Sequence, residues 1–448
     1  MKNIIMIGFI AGIFALSFVY LGSGENAVVA PSAKALVKSD GLIERGRQVA
    51  IESDCVACHT TPNGASFAGG VHFASPFGDI YSTNITPDPT YGIGGYNRED
   101  FYRAVKYGYS KNVGNLYPAM PYTSYRKLND ADMDALWVYF QSVKPVATPN
   151  INNDLIFPAN IRFGLGGWNQ LFFDDSDFSP NPNKSVQWNQ GKYFVEAAGH
   201  CGECHTPRNF AFAMEPEKAL EGAILEGWNA MNITSGELKR QGWTVEELNQ
   251  FLKHGESKLG ITFDSMFMVV NHSLSHMTQD DFNAISAYLL DLDEVKTPQS
   301  INSTFVAMNA PRYLNDDEKS LPGFETYVNY CAGCHGIDGL GKPNAVVALS
   351  NNSTFSADSP YNAVAVILRG LPSKQQSLTK GSVAMSNFDK QVTDAEIAQL
   401  VNFARVTWGS QTDSNVDAAM VKAIRKQLEK EGYLSQNANG HTQATTSH

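Results

Sequence analysis

A mainly α chain built from three tandem domains is predicted by three observations. All six cysteines fall in three copies of one pattern, Cys-x-x-Cys-His: Cys55/Cys58/His59, Cys201/Cys204/His205 and Cys331/Cys334/His335. The same order of helical segments recurs around each copy. The 448-residue length also suits about three domains of ordinary size.

The pattern predicts its own chemistry. Two thiols three residues apart can add across the two vinyl groups of one haem, and the adjacent histidine is then placed to bind the iron. Three covalently bound haem c groups follow, attached through Cys55, Cys58, Cys201, Cys204, Cys331 and Cys334, with His59, His205 and His335 as proximal iron ligands. A structural zinc site would need four ligands from two knuckles in one small module. Here 146 residues separate the first pattern from the second and 130 the second from the third, with no further cysteine to complete a site. A disulfide framework would leave unexplained the histidine that follows every pair.

Composition bounds the remaining classes. With 43% hydrophobic and 18% charged residues, each domain can form a core. The net charge of -11 excludes a nucleic-acid partner, since there is no basic excess to neutralise phosphates. At the N-terminus, Lys2 precedes an apolar stretch from Ile4 to Leu21, and Val28 and Ala30 offer small-residue cleavage positions. Residues 1–30 therefore read as a signal peptide or, because 18 apolar-rich residues just reach spanning length, as an N-terminal membrane anchor. Either places the body outside the cytoplasm. No later segment is long and apolar enough to span.

Each repeat begins with a helical run opened by a glycine: Gly46 to Asp54, Gly191 to His200 and Gly323 to Tyr330. Downstream of the haem pattern, Asn84-Ile85-Thr86 and Asn232-Ile233-Thr234 stand at similar distances from their histidines, and the third copy has only the looser Asn351-Asn352-Ser353-Thr354. Next come helices ending in glycine, Phe101 to Gly108, Leu248 to Gly255 and Ala363 to Gly370. A methionine-bearing loop follows, then an amphipathic helix behind a cap: Asn129 with Asp132, Thr278 with Asp281, and Thr393 with Glu396, the last a capping box. An N-terminal helix crossing a C-terminal helix beside a haem is the plan of a class I cytochrome c-like domain. The repeat sets domains at 40–148, 185–296 and 316–412, with 149–184 a linker or strap, 297–315 a linker, and 413–448 a C-terminal helix and polar tail.

A haem that shuttles electrons without large rearrangement needs a second axial ligand, and a thioether raises its potential. Met120 and Met266 each lie 61 residues after the histidine of their pattern, and Met385 lies 50 after its own. Each is expected in the loop before the last helix. Pro118 and Pro121 stiffen the loop around Met120. At the second site Met268, His272 and His276 remain alternatives. Met133 reads as core filler, and His72, His200 and His254, without repeat-related counterparts, read as structural or haem-edge polar groups.

From about Leu42 to Trp408 the chain resembles the triheme cytochrome c subunits of membrane-associated periplasmic dehydrogenases, such as alcohol and gluconate dehydrogenase complexes. The resemblance rests on Ser82-Thr83-Asn84-Ile85-Thr86-Pro87-Asp88, on Leu116-Tyr117-Pro118-Ala119-Met120-Pro121-Tyr122 and on the run from Gly199 to Asn209. It implies that electrons pass from a catalytic dehydrogenase subunit (quinoprotein, flavoprotein or molybdenum type) through three haems to ubiquinone or a terminal acceptor. It also implies membrane association on the periplasmic side of the bacterial cytoplasmic membrane, and distal ligation by Met120, Met266 and Met385. Two departures stand out: Ser386 follows Met385, and Ser265 precedes Met266, where the family commonly has proline.

An electron-transfer subunit with no chemical transformation of its own is the expected function. Gly92-Ile93-Gly94-Gly95 lacks the spacing and context of a dinucleotide site. The competing expectation is a catalytic multihaem oxidoreductase, such as a peroxidase, with one open haem site.

Overall fold

A computed structural model describes residues 36–295, 313–342, 345–372, 383–411 and 414–434. The N-terminal apolar stretch, most of the 297–315 linker and the tail from residue 435 lie outside these. Among the described residues no helix is long and apolar enough to cross a membrane. Helices dominate, and the strands are two to four residues long.

Two compact units divide the described chain. The first takes in residues up to Glu203, Arg208–Glu215 and the stretch from His272 to Val295; the second takes in Cys204–Pro207, Pro216–Asn271 and the residues from Tyr313 onward. The middle repeat is thus shared out. Its opening and closing helices belong to the first unit, and its pattern histidine, with the helix Val245–His254, to the second.

In the first unit, helix Asp40–Glu52 crosses helix Asp130–Phe140, and helix Val186–Tyr193 crosses helix Gln279–Leu289. The opening helices begin earlier than the glycines suggested. Ser39 and Ser185 cap them, their hydroxyls accepting from Leu42 N at 3.3 Å and Trp188 N at 3.0 Å. Gly46 and Gly191 sit inside the helices instead, at the crossing points. A Cβ on Gly46 would fall 2.0 Å from Ala135 O, and one on Gly191 would fall 1.9 Å from Ala284 O. Only hydrogen fits there. In the second unit Gly323 does open its helix, Phe324–Tyr330, from a left-handed φ of 97°, and it too meets the closing helix, a Cβ there falling 2.3 Å from Gln399 O.

The closing helices start where their caps predict. Asn129 accepts from Asp132 N, while Thr278 with Asp281 and Thr393 with Glu396 form reciprocal capping boxes. The glycine-ended helices also hold: Arg98–Tyr107, Val245–His254 and Tyr361–Arg369 stop at Gly108, Gly255 and Gly370, whose φ angles are 60°, 77° and 69°. Met133, at 0% exposure, is core filler of the first unit, with Tyr102, Tyr122 and Phe282. The second unit's core gathers Tyr327, Phe403 and Trp408, with Trp408 ring centroids 4.8 and 5.2 Å from the other two. Helix Ala418–Lys430 closes that core with Val421 and Leu428.

The 149–184 strap carries structure of its own. Asp154–Leu155 adds a third strand to the hairpin of His72–Ser75 and Gly78–Tyr81, and Gly164–Phe172 is helical. Upstream of it, Asn84 Nδ2 donates to Val146 O at 2.7 Å and Thr148 O at 3.2 Å, fixing the end of the first repeat just before the strap.

Candidate functional site

Each pattern ends in a one-turn helix that carries its histidine: Cys55–His59, Gly202–His205 and Ala332–His335. The three rings share one arrangement. Nδ1 of His59 lies 2.6 Å from Thr83 O, that of His205 2.6 Å from Met231 O, and that of His335 3.0 Å from Val347 O. A carbonyl can only accept, so each Nδ1 carries the proton and each Nε2 keeps its lone pair for a metal. Burial pushes all three imidazoles below their ordinary pKa, against the opposing pull of the carbonyls, which holds them neutral. A hydrogen bond from the far nitrogen fixes tautomer and ring orientation, as expected of a metal-ligating histidine.

The repeated Asn-Ile-Thr motif explains how the acceptors are aimed. Thr83 and Met231 immediately precede Asn84 and Asn232, whose Oδ1 atoms accept from the backbone N and the hydroxyl of Thr86 and Thr234 at 2.7 to 2.9 Å. These small side-chain turns set the direction of the preceding carbonyl. The third copy departs here: Asn352 accepts from Thr354 N, but the His335 acceptor, Val347, lies five residues earlier.

Three glycines that sequence comparison missed complete the arrangement. The amides of Gly69, Gly222 and Gly341 donate to the carbonyls of His59, His205 and His335 at 2.9, 2.7 and 2.8 Å. Their φ angles are 74°, 92° and 68°, and a Cβ on any of them would meet backbone atoms within 2.7 Å. Their offsets from the histidines differ, so no fixed spacing could reveal them.

The second unit holds a partly open, largely apolar pocket beside the third pattern. Cys331, His335 and Met385 all line it, with Tyr327 and an otherwise mostly apolar wall. Thiol, imidazole and thioether facing one apolar space are the donor set a c-type haem uses. Ile261 and Phe263, from the middle repeat, line it as well. Met385 is held by a two-bond bridge to Leu371, its N and O each 2.9 Å from their partners, while Ser386 is exposed. The missing proline is offset there by backbone pairing.

Met120 lies in a loop, as expected, its amide donating to Tyr117 O at 3.0 Å. Met266 does not. It is the third residue of helix Asp264–His272, entered through Asp264 at a left-handed φ of 51°. Ser265, in place of proline, hydrogen-bonds the Glu226 carboxylate, and Asp264 accepts from Trp228 Nε1 at 2.6 Å and Arg369 at 3.2 Å. The second pattern is divided between the units, Cys201 in the first and Cys204, His205 and Met266 in the second. His272 ends the same helix and His276 a 3-10 turn. His72 pairs with Asp79 at 2.9 Å, and His254 ends its helix.

Two family descriptions match this chain: Cytochrome c over residues 43–144, and cytochrome C oxidase, cbb3-type, subunit III, over residues 319–403. The chain is 39% identical over 397 residues to the cytochrome c subunit of a quinone alcohol dehydrogenase from Gluconacetobacter polyoxogenes, covering 86% of this chain and 84% of that one. It belongs to the dehydrogenase cytochrome c subunits. Other members resemble it along similar lengths. A gluconate 2-dehydrogenase cytochrome c subunit from Pantoea cypripedii is 37% identical, covering 87% of this chain and 90% of its own. A fructose dehydrogenase cytochrome subunit from Gluconobacter japonicus is 33% identical, covering 92% and 88%. The family is one of electron-transfer cytochromes carrying covalent haem c, and that is the role of this chain.

Proposed function

We propose that this chain is a three-haem relay between a catalytic dehydrogenase subunit and an acceptor at the membrane. Haem c, once attached, supplies a one-electron iron couple whose potential is raised by a thioether ligand. The residues around it bind, aim and shield. Cys55 and Cys58, Cys201 and Cys204, and Cys331 and Cys334 attach one group each in three cytochrome c-like domains. His59, His205 and His335 supply the proximal nitrogen, and Met120, Met266 and Met385 the distal sulfur.

The observation that carries this reading is the threefold recurrence of a neutral histidine whose Nδ1 is tied to a backbone carbonyl. The placement of His335 and Met385 on one apolar cavity supports it. The relatives named above are subunits of alcohol, gluconate and fructose dehydrogenases, which supports a catalytic dehydrogenase partner here, read as a quinoprotein, flavoprotein or molybdenum enzyme. Electrons leave to ubiquinone or a terminal acceptor on the periplasmic side of the bacterial cytoplasmic membrane. A subunit of that kind must meet large surfaces. The first unit exposes the large apolar side chains of Phe157, Leu171 and Phe210 at 76%, 73% and 95%.

Replacing Met120 or Met385 with alanine tests the assignment. The haem at that site keeps its covalent attachment, three haem equivalents by mass, and its potential falls in a redox titration. An unchanged titration curve would remove the methionine from the iron.

A further inference from the structure

The residues just before the first cysteine of the first two patterns share a rare conformation. Asp54 precedes Cys55 at φ 49°, and His200 precedes Cys201 at φ 40°, both left-handed. The carbonyl of Ser53, just before Asp54, accepts from Tyr125 Oη at 2.5 Å. The Tyr125 ring in turn meets the His200 ring edge to face, centroids 5.5 Å apart. Ser53 and Tyr125 are buried, at 1% and 5% exposure.

Neighbouring bonds hold this contact in place within the first unit. The Glu203 carboxylate, two residues past Cys201, accepts from the hydroxyls of Thr123 and Ser124 at 2.6 and 3.0 Å. Arg208 completes that carboxylate at 2.7 Å. The segment leading from Met120 to Tyr125 is thereby locked against the start of the second pattern.

We propose that Ser53, Tyr125 and His200 form an electronic bridge between the cysteine anchors of the first two haem sites. The route runs from Cys55 along the backbone through Asp54 to the Ser53 carbonyl, across one hydrogen bond to Tyr125, across a ring contact to His200, and by one peptide link to Cys201. Electron tunnelling falls off steeply through space and more slowly along bonds. This route contains one hydrogen bond and one van der Waals contact. With haem attached at both sites, a single electron would pass from the reduced iron at one to the oxidised iron at the other, with no bond made or broken and no proton transferred. Tyr125 and His200 act as positioning and coupling residues. The proposal rests on haem attachment at Cys55 and Cys201.

The test uses the full haem-loaded chain and two variants, Tyr125→Phe and Tyr125→Leu. Exchange NMR on partly reduced protein follows the haem methyl signals of each site and so reads exchange between the first two sites separately from the third. Tyr125→Phe, which keeps the ring and loses only the hydrogen bond, slows exchange several-fold; Tyr125→Leu slows it further, and exchange with the third site stays unchanged. Wild-type exchange rates in both variants, with three haems by mass, would overturn the bridge. A wild-type mass lacking haem at Cys55 or Cys201 would overturn the underlying attachment instead, so the two failures are distinguishable.

Discussion

Gly46 lies so close to Ala135 that a Cβ on the glycine would stand 2.0 Å from the alanine carbonyl oxygen. The same relationship joins Gly191 to Ala284 at 1.9 Å. On helix propensity alone, alanine at position 46 would be worth about 1 kcal/mol. Overpacking a helix crossing costs about 1 to 3 kcal/mol, more when the obstruction is backbone. The clash wins. Gly46→Ala is expected to lose about 2 kcal/mol or more in urea unfolding. Gly95→Ala, where nothing lies within 4 Å, should be near neutral and serves as control.

Asn84 makes four hydrogen bonds with its side chain, two accepted from Thr86 and two donated to Val146 and Thr148, just before the strap. Buried at 2% exposure, it leaves those partners stranded if removed. Asn84→Ala is expected to cost about 3 kcal/mol and to loosen the Thr83 carbonyl that orients His59. Redox titration should show a shifted potential at the first site. Loss of stability without any shift would mean that the motif serves only the fold.

Arg369 is held between two aromatic rings, its guanidinium 4.0 Å from the Trp228 centroid and 4.6 Å from that of Tyr433. It also donates to the carbonyls of Glu226 and Gly227 and to Asp264. Arg369→Ala should destabilise the second unit by about 3 kcal/mol, and Arg369→Lys by less, since an ammonium keeps part of the ring attraction but not the planar fork. Thermal unfolding read at Trp228 fluorescence checks both.

Burial alone pushes the Asp54 carboxyl up to about 8, and its Oδ1 finds no hydrogen-bond partner among the described residues. A carboxyl raised in the folded state favours folding while protonated. That contribution is complete below the ordinary carboxylate pKa of about 4 and is lost as pH climbs through about 8. Glu52, raised to about 7 by burial with Arg45 pulling the other way, adds to the same trend. Asp54→Asn, neutral and at ease with a left-handed backbone, should flatten the fall in stability between those limits. An unchanged pH profile of the unfolding midpoint would place the effect elsewhere.

The sequence by itself determined what is local. Three Cys-x-x-Cys-His patterns, the capped closing helices and the helices stopped at Gly108, Gly255 and Gly370 all depend on residues within a few positions of one another. Covalent reach, side-chain caps and left-handed glycines act over those distances. Even the repeated Asn-Ile-Thr was visible, though its task, aiming the Thr83 and Met231 carbonyls at imidazoles some 25 residues upstream, was not. Tertiary structure decided the rest: where Gly46 and Gly191 sit, the helix around Met266, the Ile261 and Phe263 wall of the pocket beside the third pattern, and the meeting of Tyr125 with His200. Each of these joins residues far apart in the chain or answers to such a neighbour. Which distant surfaces come together is settled by packing, and no short pattern carries that information.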